Sequence, residues 1–179
     1  MKYPIDRPMT RHGYSQGYWE LRKDKRLYAL MPVLARALAP KARSAIDVGC
    51  YVGGVICDLD WIPRRLAVDV NDFSEQWAGV EGVQFMKANA FALKERFDLV
   101  ISNQTIEHVE DAAGFAAKLC ALGKTVICST TYKVAAGLIE GHIQDPIDEA
   151  KFLSWFPRKP TTVCIAYEEG GLDHIVGVF

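Results

Sequence analysis

The run Ala45-Ile46-Asp47-Val48-Gly49-Cys50-Tyr51-Val52-Gly53-Gly54 sets a carboxylate and three glycines side by side. A short apolar stretch that breaks into glycine is the sequence form of a strand leaving a sheet and turning. Glycine at such a turn lets the backbone come close to a ligand where a side chain would collide. Asp47, two residues ahead of Gly49, can pair with a cationic group held near the turn. The dinucleotide fingerprint G-x-G-x-x-G is met at Gly49 and Gly54 but broken at its middle glycine, where Tyr51 stands. An acid at the strand end also suits an ammonium better than a pyrophosphate. A nicotinamide-dependent dehydrogenase is therefore disfavoured.

Proton transfer is the second chemistry the residues offer. Histidine titrates near neutrality and suits a general base, and the chain has His12, His108, His142 and His174. His108 follows an expected fourth strand, and His142 lies in a long loop, residues 130–144, after an expected fifth. Both belong on the face where ligands bind, so they are the candidate catalytic bases. His174 is assigned a structural or surface place, and His12 belongs to the lead-in. Glu107 adjoins His108, but neighbouring residues on a helix face different directions. No metal is expected: Gln144, Asp145 and Asp148 are a loose group, and Asp145 is better placed as a helix cap.

The elements that position these residues alternate. After an irregular lead-in, a helical pattern runs from Tyr18, with Leu27, Leu30, Met31, Leu34 and Leu38 on one face and Pro32 kinking or dividing it. Strands are expected at 44–48, 65–70, 83–86, 97–102 and 124–129, with a short helix at 53–59. The helix after Asp111 carries Phe115, Leu119 and Leu122 and stops at Gly123. Asp145-Pro146 opens a further helix that buries Phe152, Trp155 and Phe156. Strands at 161–167 and 174–179 flank Gly170-Gly171 as a closing hairpin. Alternation implies parallel βαβ units with helices on both faces. The fold class is α/β, a Rossmann-like three-layer αβα sandwich on a mostly parallel seven-stranded sheet ending in an antiparallel β-hairpin. Residues 1–43 form a lead-in and kinked helix within the same domain as the 44–179 core.

Composition narrows the class. The chain has 179 residues, half of them apolar, and a formal net charge of −1, so no global charge points to nucleic acid or an anionic membrane. Locally, Arg11, Arg22, Lys23, Lys25 and Arg26 face only Glu20 and Asp24; a solvated helix face or a site for an acidic substrate both account for this. Five cysteines with no C-x-x-C pair read as reduced thiols and a cytoplasmic protein. The first residues lack the apolar segment of a signal peptide, and no run approaches the roughly 20 apolar residues that span a bilayer. Oligomeric state is not legible.

Asp47-Val48-Gly49-Cys50-Tyr51-Val52-Gly53 resembles the D-x-G-x-G-x-G motif of the class I S-adenosylmethionine-dependent methyltransferases, with Tyr51 in place of the middle glycine. Asp69, Asn89-Ala90 and the block Phe97–Ser102 followed by Ile106-Glu107-His108-Val109 resemble that family's later landmarks in order. The resemblance implies S-adenosylmethionine as cofactor, held by Asp47, Gly49, Tyr51, Gly53, Asp69, Val70, Asn89, Ala90 and Asn103. Asp69 would take both ribose hydroxyls, and the Asn89 carboxamide oxygen the adenine amino group. Asn103-Gln104-Thr105-Ile106 stands where nitrogen methyltransferases carry an Asn-Pro-Pro-Tyr-type clamp, so the implied reaction is O-methylation of a small polar metabolite such as a sugar. Lead-in aromatics Tyr14, Tyr18 and Trp19 either cover the cofactor as a lid or anchor the first helix. A non-catalytic cofactor-binding or scaffold protein on the same fold is the alternative, motivated by Tyr51.

Overall fold

The structure is a computed structural model that describes residue 22 and residues 25–179. The expected helix start at Tyr18, the aromatic lead-in and His12 lie outside the described residues. The first described helix, α1, is Arg26–Leu38; strand β1 is Ser44–Val48, followed by a 3-10 turn at Val55–Asp58. Then come β2 (Arg64–Asp69), α2 (Ser74–Trp77), β3 (Val83–Lys87), a 3-10 turn (Ala90–Ala92) and β4 (Phe97–Asn103). A third 3-10 turn (Ile106–His108) leads to α3 (Ala112–Leu122), β5 (Gly123–Thr131), α4 (Glu149–Ser154), β6 (Thr162–Ala166) and β7 (His174–Val178).

One seven-stranded sheet has the order β3-β2-β1-β4-β5-β7-β6. The first five strands pair in parallel, and β7 runs antiparallel to both β5 and β6. The strand period of two sorts side chains between two cores. Ala45, Leu99, Ile101, Ile127 and Val176 face α1 and the Val55–Asp58 turn. Ile46, Val100, Val126, Cys128 and Ile175 face α3 and α4 on the other side. Asp47 keeps the parity of Ala45, so its carboxylate points toward the α1 side, against the glycine turn. The sheet order reverses between β1 and β4, which is where open α/β sheets bind ligands beyond their strand ends.

Local differences from expectation have physical causes. Pro32 lies inside a single helix rather than between two. The buried stripe of α1 is Leu27, Tyr28, Met31 and Ala35, while Leu38, at the far end of the expected face, is exposed. Gly123 does end α3, but with extended backbone that passes straight into β5 without a loop. Arg158 reaches across from beyond α4 to the carbonyls of Cys120, Gly123 and Lys124, satisfying acceptors at that junction. Asp111 caps α3 as expected, accepting from Gly114 N at 2.8 Å. Asp145 does not cap α4; that helix begins after Asp148, whose carboxylate accepts from Lys151 N at 2.8 Å. Trp155 is half-buried, whereas Phe152 and Phe156 are buried. All five cysteines are free thiols. No helix among the described residues is long and apolar enough to cross a membrane.

Candidate active site

A cleft of about 1500 Å3 opens at the carboxyl ends of β1, β2, β4 and β5. All eleven residues expected to hold the cofactor or act as bases line it: Asp47, Gly49, Tyr51, Gly53, Asp69, Val70, Asn89, Ala90, Asn103, His108 and His142.

The glycine turn folds over the end of β2, where Gly49 N and Cys50 N both donate to Val68 O, at 2.8 and 3.1 Å. Gly49 has φ +81, and a Cβ there would fall 2.3 Å from Thr105 Oγ1. Both the backbone conformation and the close approach require glycine. Tyr51 also has positive φ, +50, a conformation glycine adopts freely and tyrosine does not. It is held there from both sides: its N–H donates to Asp69 Oδ2 at 3.0 Å, and its carbonyl accepts from Trp77 Nε1 at 2.8 Å. Its ring packs edge-on against Phe73, with centroids 5.1 Å apart, so the side chain is partnered by the α2 region.

Asp47 is 2 % exposed, and its Oδ1 has no hydrogen-bond partner. Burial pushes its carboxyl up to about 7, opposed by a backbone hydrogen bond at Ile56 and assisted by the charge of Asp69. A buried carboxyl oxygen without a partner is costly. An ammonium such as that of S-adenosylmethionine fits it on charge and on hydrogen-bonding capacity, so the residues present suit the cofactor. Asp69 Oδ1 already accepts from Asn71 N and Asn71 Nδ2, at 2.9 and 3.2 Å. With Tyr51 N on Oδ2, three of its roughly four acceptor positions are used, so taking both ribose hydroxyls requires the Asn71 side chain to give way. Asn89 Oδ1 caps the Ala90–Ala92 turn through Phe91 N at 2.9 Å. The oxygen expected to meet an adenine amino group is thus already engaged, with one lone pair left. Asn103 Oδ1 accepts from Ser129 Oγ.

The opposite wall of the cleft is assembled from two segments distant in sequence. Ile143 N and Gln144 N donate to Glu107 O, and Gln144 Nε2 donates to the carbonyls of Val109 and Glu110. These bonds pin the loop after β5 onto the turn after β4. His108 and His142 meet as a result, with ring centroids 4.7 Å apart and planes perpendicular. His142 Nδ1 lies 2.8 Å from Asp145 Oδ2, and Thr131 Oγ1 donates to Asp145 Oδ1 at 3.2 Å. His108 Nδ1 lies 2.9 Å from Gly141 O. A carbonyl and an ionised carboxylate only accept, so each imidazole carries its proton on Nδ1 and keeps the Nε2 lone pair for a ligand. Burial lowers the His108 pKa.

Glu107 and Asp145 are the residues that sequence reasoning undervalued. Glu107 and His108 do point differently, one buried and the other exposed, yet both line the cleft. Glu107 is 0 % exposed and neither carboxyl oxygen has a hydrogen bond of good geometry; burial pushes its pKa up to about 8, opposed by its own backbone N–H and the Thr130 hydroxyl. The E-H pair carried that signal, but its burial did not show in sequence. Asp145 looked like a cap beside proline; tertiary contact with Thr131 and His142 claims its carboxylate instead. His174, assigned a structural or surface place, is buried and lines the cleft with Nδ1 unpartnered. Its pKa falls to about 4, chiefly through burial and then the charge of Lys25.

A family profile described as "Methyltransferase domain" matches residues 18–159. The chain belongs to that methyltransferase family. Its expected place among class I S-adenosylmethionine-dependent enzymes agrees with the sheet order and with the solved structures it resembles. An N-methyltransferase, NodS from Bradyrhizobium japonicum WM9, solved with S-adenosylhomocysteine, has a TM-score of 0.70 at 11 % identity, over 94 % of each chain. The 1,6-didemethyltoxoflavin-N1-methyltransferase of Burkholderia thailandensis, solved with its acceptor and S-adenosylhomocysteine, has a TM-score of 0.69 at 16 % identity, over 89 % of this chain and 80 % of that one. The N-terminal domain of EvdMO1, solved in the presence of S-adenosylhomocysteine and D-fucose, has a TM-score of 0.61 at 16 % identity, over 87 % and 83 %. No curated protein matches in sequence. Within this methyltransferase, the glycine turn and the two histidines line the same cleft.

Proposed function

We propose that this methyltransferase acts on a hydroxyl oxygen of a small polar molecule, a sugar or similar metabolite, with S-adenosylmethionine as donor. When bound, the cofactor supplies an electrophilic methyl group on a sulfonium. The chain's own task is then to hold the donor and to orient and deprotonate the acceptor. Asp47 receives the ammonium, Asp69 the ribose, and the Asn89-Ala90 turn the adenine, with exposed Val70 and Phe91 offering apolar edges to the base. Tyr51 packs on Phe73, which supports a working cofactor loop over a blocked one.

The observation that carries the acceptor reading is the Asp145–His142 pair. A buried carboxylate fixes one imidazole tautomer, which is what a proton-accepting Nε2 needs; His108 stands beside it as a second contact for the acceptor. Two of the three solved relatives are named for nitrogen acceptors, and the third was solved with a sugar present. The fold hosts both, so the site chemistry decides. Labelled S-adenosylmethionine offered with matched hydroxyl and amine acceptors tests the choice. Turnover of hydroxyl acceptors is expected, falling about 10²–10⁴-fold in His142→Ala with S-adenosylhomocysteine affinity unchanged. Turnover confined to amines would refute the reading.

A further inference from the structure

We propose that Glu107, His108 and His142 form a binding site for one divalent transition-metal ion of the Zn2+ type on the acceptor wall of the cleft. One candidate ligand atom from each residue lies within 4.8 Å of the others. Ligand atoms sharing an ion at bonds of about 2.0–2.2 Å stand roughly 3.4 Å apart in tetrahedral geometry, so the group closes by side-chain rotation. His108, the exposed member, is the one free to move.

Two further features point to a cation and not to three side chains that merely meet. Histidines that bind metals donate their other ring N–H to a carboxylate or a backbone carbonyl, which fixes the tautomer and turns the free nitrogen to the ion. Both forms are present: His142 Nδ1 against Asp145 Oδ2 and His108 Nδ1 against Gly141 O. Independently, Glu107 is fully buried on the cleft wall with no hydrogen bond of good geometry to either carboxyl oxygen, only the Thr130 hydroxyl lying close enough to act on it, and a cation would compensate that burial. Two imidazoles and one carboxylate select a borderline first-row ion over Mg2+ or Ca2+, which prefer oxygen alone. Three protein ligands also leave an open position, and all three residues line the cleft. The site rests on the hydroxyl-acceptor reading above and changes how it works: with Nε2 on the ion the imidazoles would not take the proton themselves, and the ion would instead lower the pKa of the acceptor hydroxyl.

Titration of the chelator-treated full chain with Zn2+ by calorimetry, and with Co2+ by visible absorption, tests this. One ion per chain is expected, with Co2+ bands lacking thiolate charge transfer and unchanged in Cys57→Ser. Glu107→Gln, which keeps the shape and removes the charge, is expected to abolish uptake. Asp145→Asn is expected to weaken Zn2+ by about 10–100-fold while S-adenosylhomocysteine still binds. Absence of stoichiometric uptake, or uptake undiminished in Glu107→Gln with S-adenosylhomocysteine binding intact, overturns the site. Chelator-resistant turnover of hydroxyls without uptake overturns the site alone; uptake with turnover only of amines supports the site and removes the hydroxyl reading.

Discussion

Asp47 links the glycine turn to acidity. Its carboxyl titrates near 7 in the folded chain against an ordinary value of 3.8, so the folded state holds a proton that the unfolded state releases between those values. Stability of the free protein therefore falls as pH rises from about 4 to about 7 and no further on this account. Three pKa units correspond to on the order of 4 kcal/mol. Asp47→Asn should flatten that slope in denaturant unfolding measured across the window. The same variant should weaken S-adenosylhomocysteine by about 10–100-fold, the value of a hydrogen bond to a charged group. In the natural protein, binding below neutrality should release a proton, measurable by calorimetry in buffers of different ionisation enthalpy; proton uptake would remove the ammonium assignment. Tyr51 poses a different question. A left-handed backbone costs a tyrosine roughly 1–2 kcal/mol, and its edge contact with Phe73 returns roughly 0.5–1.5 kcal/mol. Tyr51→Gly should thus shift unfolding free energy by no more than about 1.5 kcal/mol and leave cofactor affinity nearly unchanged. A large gain in affinity would show that the tyrosine obstructs the loop.

Among the elements, β7 shows how tightly one strand is fitted. A Cβ on Gly177 would lie 2.7 Å from both Phe152 and Phe179 rings, and Phe179 itself stacks on Phe156 at 3.7 Å between centroids. Gly177→Ala should cost about 1–3 kcal/mol by overpacking, read by urea denaturation, without changing cofactor affinity. Much of this level was legible in sequence. Apolar runs such as Leu99-Val100-Ile101 mark strands covered on both faces, and Asp111 with Gly123 bracketed α3 correctly. The errors share a cause. Leu38 fits a helical stripe by spacing, but the core meets α1 at Ala35. Asp145-Pro146 fits a cap by local rule, but a histidine in the preceding loop takes the carboxylate, and Asp148 caps instead. The residues of the glycine-turn wall could be placed at the cleft because most of them, Asp47, Gly49, Asp69, Val70, Asn89 and Asn103, lie at or within two residues of a strand's end. That His108 and His142, both placed on this face from sequence, meet beside a buried Glu107 could not be read, because the 132–148 loop is placed by backbone bonds to Glu107, and those leave no mark on residue type.

For the whole molecule, the reversal of strand order between β1 and β4 places a cleft against the glycine turn, so the ligand preference of the whole chain tests the reading of that turn. Saturating S-adenosylhomocysteine should raise the unfolding free energy by about 2.7 kcal/mol at a hundredfold excess over Kd. NAD should give no shift, since Tyr51 stands where a dinucleotide site needs its central glycine; equal shifts from both would undo the distinction.

The interposition of β7 between β5 and β6 has a consequence for synthesis on the ribosome. Among the described residues, 162–166 have no sheet partner until residues 174–178 arrive, because there β6 pairs with β7 alone. Until then the growing chain carries an open β5 edge and an uncovered row of apolar side chains, the state most exposed to aggregation. Strand β7, which follows its two partners in the chain, is thus the one that locks this edge of the sheet, and a nascent chain halted before residue 174 would lose two strands, not one.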